Sequence, residues 1–125
     1  MSRSEEDILR FVAASFPSVW TLELLLALKR EPRPWPREEL VRTLRASELV
    51  VGKAIDALLA AGLISIEGEG AVYLPVNSGV ADCVEQVEQL YRTRPNRVRR
   101  AIVTAGTSSA TAFADAFKLR REEDG

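Results

Sequence analysis

The sequence predicts a mostly α fold: a three-helix core closed by a two-stranded hairpin, with a helix before it and a helical extension after it. Three observations over residues 36–75 carry that reading. Apolar residues recur at Leu40, Val41 and Leu44, then at Val51, Ile55, Leu58 and Leu59, which makes two runs of helical period broken at Ala46-Ser47. Gly62 stands where the second run should stop, supplying a left-handed residue past the helix end. Beyond it, Leu63-Ile64-Ser65-Ile66 and Ala71-Val72-Tyr73-Leu74 alternate with period two around Gly68-Glu69-Gly70, the pattern of a hairpin.

Taken in order, Ser4 caps a first helix with Glu5, Glu6 and Asp7 in its first turn. Ile8, Leu9, Phe11, Val12 and Phe16 give that helix an apolar face, and Pro17 ends it. Ser18 caps a second helix running to about Arg30. Trp20, Leu22, Leu24, Leu25, Leu26 and Leu28 make it apolar almost all round, as expected of a helix central to a core. Arg30 to Pro36 carries three prolines and reads as a stiff, extended connection. Trp35 within it is either an exposed recognition residue or a lid folded over the core. Pro36 suits the first turn of the next helix. Ser47 caps the helix after that, with Glu48 in its first turn.

Beyond Pro75 the turn Asn77-Ser78-Gly79 leads into a helix that Ser78 would cap. Val80, Val84, Val87 and Tyr91 recur at spacings of four, three and four along it, a narrow apolar stripe. Pro95 ends or kinks this helix, and Val98 to Ala105 forms another helical segment. Thr107-Ser108-Ser109 would cap a last helix whose apolar face is Ala112, Phe113, Ala116, Phe117 and Leu119. The expected organisation is therefore an N-terminal helix (1–17), a central unit (18–76), a helical extension (77–119) and a charged tail (120–125). The stripe Val80, Val84, Val87 and Tyr91 is the expected interface of a homodimer. Packing back onto the chain's own core is the other use it could have.

Helix, tight turn, helix and hairpin is the order of a winged helix. The run Leu58-Leu59-Ala60-Ala61-Gly62-Leu63-Ile64 resembles the L-x-x-x-G-L-I/V ending of recognition helices in MarR-like and PadR-like transcription regulators, a resemblance covering about residues 18–76. It implies a winged helix-turn-helix fold whose helix Ser47 to Ala61 enters the major groove of double-stranded DNA.

Composition narrows the function further. At 125 residues and 46% apolar, the chain is long enough to bury a core, and no run approaches the ~18 apolar residues of a membrane span. The charged, acidic N-terminus is unlike a secretory signal, so a cytoplasmic protein is expected. There are no histidines, which removes the usual imidazole base and most zinc chemistry. The single cysteine, Cys83, lies in an acidic amphipathic helix without an activating base and reads as a packing residue. Thr107-Ser108-Ser109 has no partner base either, and Gly68-Glu69-Gly70 lacks the context of a phosphate loop. No enzyme, cofactor or metal site is expected.

The net charge of −1 conceals a strong segregation. Residues 46–91 hold one basic side chain, Lys53, against seven acidic ones, while residues 92–100 hold five arginines and no acid. Residues 29–45 also lean basic. Two readings follow. In the first, the protein is a dimeric DNA-binding regulator that contacts DNA through Arg37, Arg42, Arg45, Ser47 and Lys53, since arginines beside a helix start clamp phosphates. In the second, the winged helix is a protein-interaction module whose acidic helix and hairpin, with Glu67 and Glu69 at the tip, dock on a basic partner. The stretch Arg92 to Arg100 is either a phosphate arm or a connector paired with the acids of residues 82–88. Arginines paired with Glu38, Glu39 and Glu48 would favour the protein partner, and a basic face at the helix start would favour DNA.

Overall fold

Ser4 opens the chain's first helix as its sequence foretells. Its hydroxyl accepts from the Asp7 N–H at 3.2 Å, starting α1 (Glu5–Ser15) behind an acidic first turn. The computed structural model describes residues 4–105. Phe16 stops α1 and packs edge-to-face on Phe11, with ring centroids 6.0 Å apart. Ser18 then caps α2 (Val19–Arg30), and the Ser18 hydroxyl also meets the otherwise buried Thr21 hydroxyl at 3.1 Å. Leu22, Leu24, Leu25, Leu26 and Leu28 are all buried, so α2 is the centre of the core. Trp20 departs from the expectation, being 43% exposed.

The sheet has three strands where two were expected. Trp35–Pro36 (β1) pairs antiparallel with β3 (Gly70–Tyr73), which also pairs antiparallel with β2 (Ile64–Glu67), giving the order β1-β3-β2. Proline lacks a backbone donor, so Pro36 is tolerated only because β1 is an edge. Gly70 is what lets it approach. A Cβ there would lie 2.7 Å from Pro34 Cβ and 2.8 Å from the Trp35 nitrogen. The glycine read as half of a hairpin turn is thus the seat of a third strand. The turn itself needs only Gly68, at φ +61° in the first central position of a two-residue loop. Trp35 is buried, its indole N–H donating to the Glu31 carbonyl at 3.0 Å, which is the lid arrangement of the two considered.

From Pro36 the chain enters α3 (Arg37–Leu44), which ends on Arg45 in the left-handed region at φ 54°. Ala46 and Ser47 make the tight turn, and the Ser47 hydroxyl accepts from the Val50 N–H at 3.1 Å to start α4 (Glu48–Ala60). Val51, Ile55 and Leu58 of α4 are buried as expected. Leu59 is 39% exposed, because it sits one residue round the helix from the core-facing line. Gly62, at φ +74°, turns the chain into β2.

Asn77, not Ser78, caps α5 (Ser78–Thr93), its side-chain oxygen accepting from the Val80 N–H at 2.9 Å. A sixth helix, α6, occupies residues 95–105, starting at Pro95, where the missing N–H costs nothing. The dimer stripe needs correcting here. Val84 and Val87 are completely buried within the single chain, in the same core as Val12 and Phe16 of α1. Val80 and Tyr91 are half-buried in that seam. Polar contacts reinforce it: the Tyr91 hydroxyl donates to Glu23, and Lys29 bridges Glu85 at 2.8 Å and Glu88 at 2.7 Å. Burial followed by the bond to Glu23 raises the Tyr91 phenol above its ordinary value. Burial opposes the Lys29 charge, but the bonds to Glu85 and Glu88 leave its affinity for a proton raised.

One hydrophobic core therefore runs from α1 through Val98 and Ile102 of α6, joining all three expected segments. The last expected helix, Ala112 to Leu119, and the tail from 120 lie outside the described residues. No single helix among the described residues is long and apolar enough to cross a membrane.

Candidate nucleic-acid interface

The outward side of α4 is set by what its inward side must do. With Val51, Ile55 and Leu58 in the core, Ser47, Glu48, Leu49, Lys53 and Asp56 are exposed, and Val50 and Gly52 are half-buried. Leu49 is the residue the sequence reading overlooked, at 68% exposure in the first turn. Its signal was available: two positions from Val51 is about 200° round a helix, the far side from the core.

Gly52 leaves a bare strip on this face, and Arg37 lies across it. The Arg37 guanidinium nitrogen comes within 3.5 Å of where a Gly52 Cβ would stand. The first residue of α3 is thus carried onto α4, because the turn at Arg45–Ser47 folds the two helices together. Arg45 is exposed two residues before the α4 cap. Its own N–H closes α3 on the Val41 carbonyl, and its left-handed backbone turns the Ala46 N–H back to the same oxygen at 3.3 Å. Lys53 is exposed one residue from Gly52.

The carboxylates expected to compete for these cations are otherwise engaged or stand apart. Glu39 is gripped by both guanidinium nitrogens of Arg33, one at 3.0 Å, and these hydrogen bonds hold its carboxyl below the ordinary value. Arg33 also rests 4.1 Å above the Trp35 ring. No ion pair among the described residues joins Arg37, Arg42, Arg45 or Lys53 to Glu38, Glu39 or Glu48. Arg37, Arg45, Ser47 and Lys53 are therefore brought to the start of α4. Arg42 is not shown in that group; its charge acts on Glu39. The hairpin tip remains acidic, with Glu67 and Glu69 exposed.

The second basic stretch behaves differently. Arg94 and Arg97 both reach Glu5 at the start of α1, and Arg99 lies over the Tyr91 ring at 5.6 Å and donates to its hydroxyl at 3.4 Å. It is a paired connector in part, but its partner is Glu5 rather than the acids of residues 82–88, two of which Lys29 answers. The C-terminal ends of α1 and α4 meet each other, whereas Arg94 and Arg97 hold the opposite end of α1.

Among the described residues no group of three His, Cys, Asp or Glu side chains is arranged to hold a metal ion. Compared with known proteins, the chain matches no family model, no curated protein and no solved structure.

Proposed function

We propose that residues 18–76 form a winged helix and that the protein is a small DNA-binding transcription regulator whose α4 enters the major groove. The observation that carries the reading is the Arg37 guanidinium laid over Gly52 of α4 without a carboxylate partner. An unpaired guanidinium on a bare helix face, beside a capped helix start and near Arg45 and Lys53, offers a backbone phosphate both charge and donors. The order α2, β1, α3, α4, β2, β3, with β1 closing the sheet, supports the winged-helix assignment. Sequence readout on this face rests on few groups: Lys53 for an acceptor base edge, and Leu49 for a thymine methyl. Affinity in this reading comes mostly from phosphates, with modest discrimination among sequences. The reading implies a cytoplasmic protein. A homodimer in this reading uses a surface other than Val84 and Val87, and sedimentation velocity tests it.

A second reading has its own observation. Leu49 and Ile66 are large apolar side chains left 68% and 47% exposed on α4 and β2, among Glu48, Asp56, Glu67 and Glu69. Exposed apolar side chains on acidic elements suit a basic protein partner.

Binding to mixed double-stranded fragments over a salt series separates the two. A DNA regulator binds at about 50 mM salt and weakens along a log–log slope of several phosphates. Absence of binding at that salt sinks the DNA reading and leaves the protein module.

A further inference from the structure

A hollow of about 290 Å³ opens between α2, the last turn of α5 and the first turns of α6, and no residue of the proposed DNA face lines it. Three guanidiniums from three helices do: Arg30 at the end of α2, Arg92 in the last turn of α5 and Arg99 on α6. A helix C-terminus favours a cation, which suits Arg30 and Arg92 to their places. Neither of these two guanidiniums has a hydrogen bond or an ion pair among the described residues. Arg99 lies over the Tyr91 ring and donates to its hydroxyl at 3.4 Å, which orients the fork and leaves most of its N–H groups unused.

Two carboxylates share this lining, and both are engaged already. Glu88, its side chain only 13% exposed, is held by Lys29 at 2.7 Å. Glu23 accepts from the Tyr91 hydroxyl and has no cation partner among the described residues. Three guanidiniums therefore face one carboxylate that no cation answers, an excess of two positive charges. Behind them Leu26 is buried in the core and Pro95 is half-buried, so the charges stand against an apolar backing that strengthens their pull on an anion.

We propose that this hollow binds a phosphoryl dianion, free or as the monoester of a small polar metabolite, through Arg30, Arg92 and Arg99. A phosphoryl group carries close to two negative charges at neutral pH and three terminal oxygens, one for each guanidinium. A carboxylate offers one charge and two oxygens. Guanidinium forks also match phosphate geometry better than a lysine would. The volume is at the lower end of ligand sites, which admits a phosphoryl group with a few atoms attached and leaves no room for a nucleotide. The site is separate from the α4 face, so it stands or falls independently of DNA binding.

Calorimetric titration of the full-length chain tests it, with inorganic phosphate, glycerol 3-phosphate and succinate as probes and sodium chloride holding the ionic strength constant. Both phosphates should bind saturably, and succinate should bind more weakly than either. The tighter of the two phosphates tells whether the free ion or a monoester is the ligand. Arg92→Gln and Arg99→Gln, both at exposed positions, should each weaken phosphate binding about tenfold, while Arg37→Gln on the α4 face should leave it unchanged. Circular dichroism checks that the variants keep the parent fold, and Arg30→Gln replaces either one that does not. No saturation of either phosphate by about 20 mM, far above a useful affinity, overturns the proposal. So does succinate binding as tightly as the phosphates, or a loss in Arg37→Gln equal to that in Arg92→Gln. A chain that binds no phosphate but loses DNA affinity in Arg92→Gln also overturns it, and gives these arginines to the duplex backbone instead.

Discussion

Residues 29–45 and residues 92–100 both read as basic in the sequence, yet the fold engages three of the five arginines of the second while leaving Arg37 and Arg45 of the first without a carboxylate. Arg94 and Arg97 find Glu5, and Arg99 finds Tyr91. Arg37, Arg45 and Lys53 have no ion-pair partner among the described residues, although Glu38, Glu39 and Glu48 stand within a few positions of them in the chain. The difference lies in competition for carboxylates. Arg33, anchored on the Trp35 ring, takes Glu39 from the α3 side, and Glu48 sits in the first turn of α4, where the helix dipole already favours it. Charge density in a sequence thus says where cations are, and pairing in the fold decides which remain open to a polyanion.

The largest effect should come from the glycine that aims the first region. Gly70→Ala drives a methyl into Pro34 and the Trp35 backbone nitrogen, which belong to the chain entering β1 rather than to a flexible side-chain end. Overpacking of this kind costs about 2–3 kcal/mol. The expected readout is a clearly lowered denaturation midpoint in urea, with fluorescence of Trp35 altered as its strand is displaced. Since β1 runs directly into Arg37, the comparison between the two basic regions would collapse in this variant: both should then be equally ineffective toward DNA.

Charge reversal sharpens the contrast. Arg37→Glu should weaken DNA binding by about tenfold and lower the salt slope by roughly one phosphate or more, uniformly across sequences. Arg97→Glu should leave both quantities nearly unchanged. Equal losses in the two variants would show that the open and the paired arginines act alike, and the argument from pairing would be wrong.

Gly52→Ala probes the bare strip beneath Arg37. A Cβ there would meet the guanidinium at 3.5 Å, an ordinary contact, and Gly52 has no positive φ that an alanine would strain. Helix propensity then favours alanine by about 0.8 kcal/mol, a rise of a few degrees in the thermal midpoint. DNA affinity should hold within about twofold. A lowered midpoint would mean that Arg37 sits on Gly52 more tightly than an alanine permits.

What could be read in the sequence was local. Ser4, Ser18 and Ser47 act within three residues of themselves, and Gly62 needs only its own φ, so helix starts and the end of α4 were legible. The inward line Val51, Ile55 and Leu58 followed from one helix's period. Partners across the fold were another matter. The stripe of Val80, Val84, Val87 and Tyr91 declares that a face is buried, but not that α1 and α2 bury it within one chain. Trp35–Pro36 is too short and too rich in proline neighbours to announce a strand, and the sign of its pairing, Gly70, sat inside a turn motif that already explained it. At the candidate site the cations were legible and their freedom was not. That freedom depends on where Arg33 and Glu5 end up, 6 and 92 residues from their partners.

The smallest expected effect tests the paired region by itself. Glu5→Gln removes the carboxylate that Arg94 and Arg97 share. Because these side chains are partly exposed, the loss should be about 0.5 kcal/mol, and it should shrink as salt rises. Denaturation at low and high salt measures it. The same substitution frees two arginines at the N-terminal end of α1, outside the group gathered at the start of α4. If freedom from pairing is what makes an arginine available to DNA, low-salt binding should rise slightly in Glu5→Gln through added nonspecific contacts, without any change in the effect of Arg37→Glu. A Glu5→Gln chain that binds DNA as the parent does would show that position beside the helix start matters as well as pairing. In that case the Arg92–Arg100 stretch is structural whether or not its partner is present.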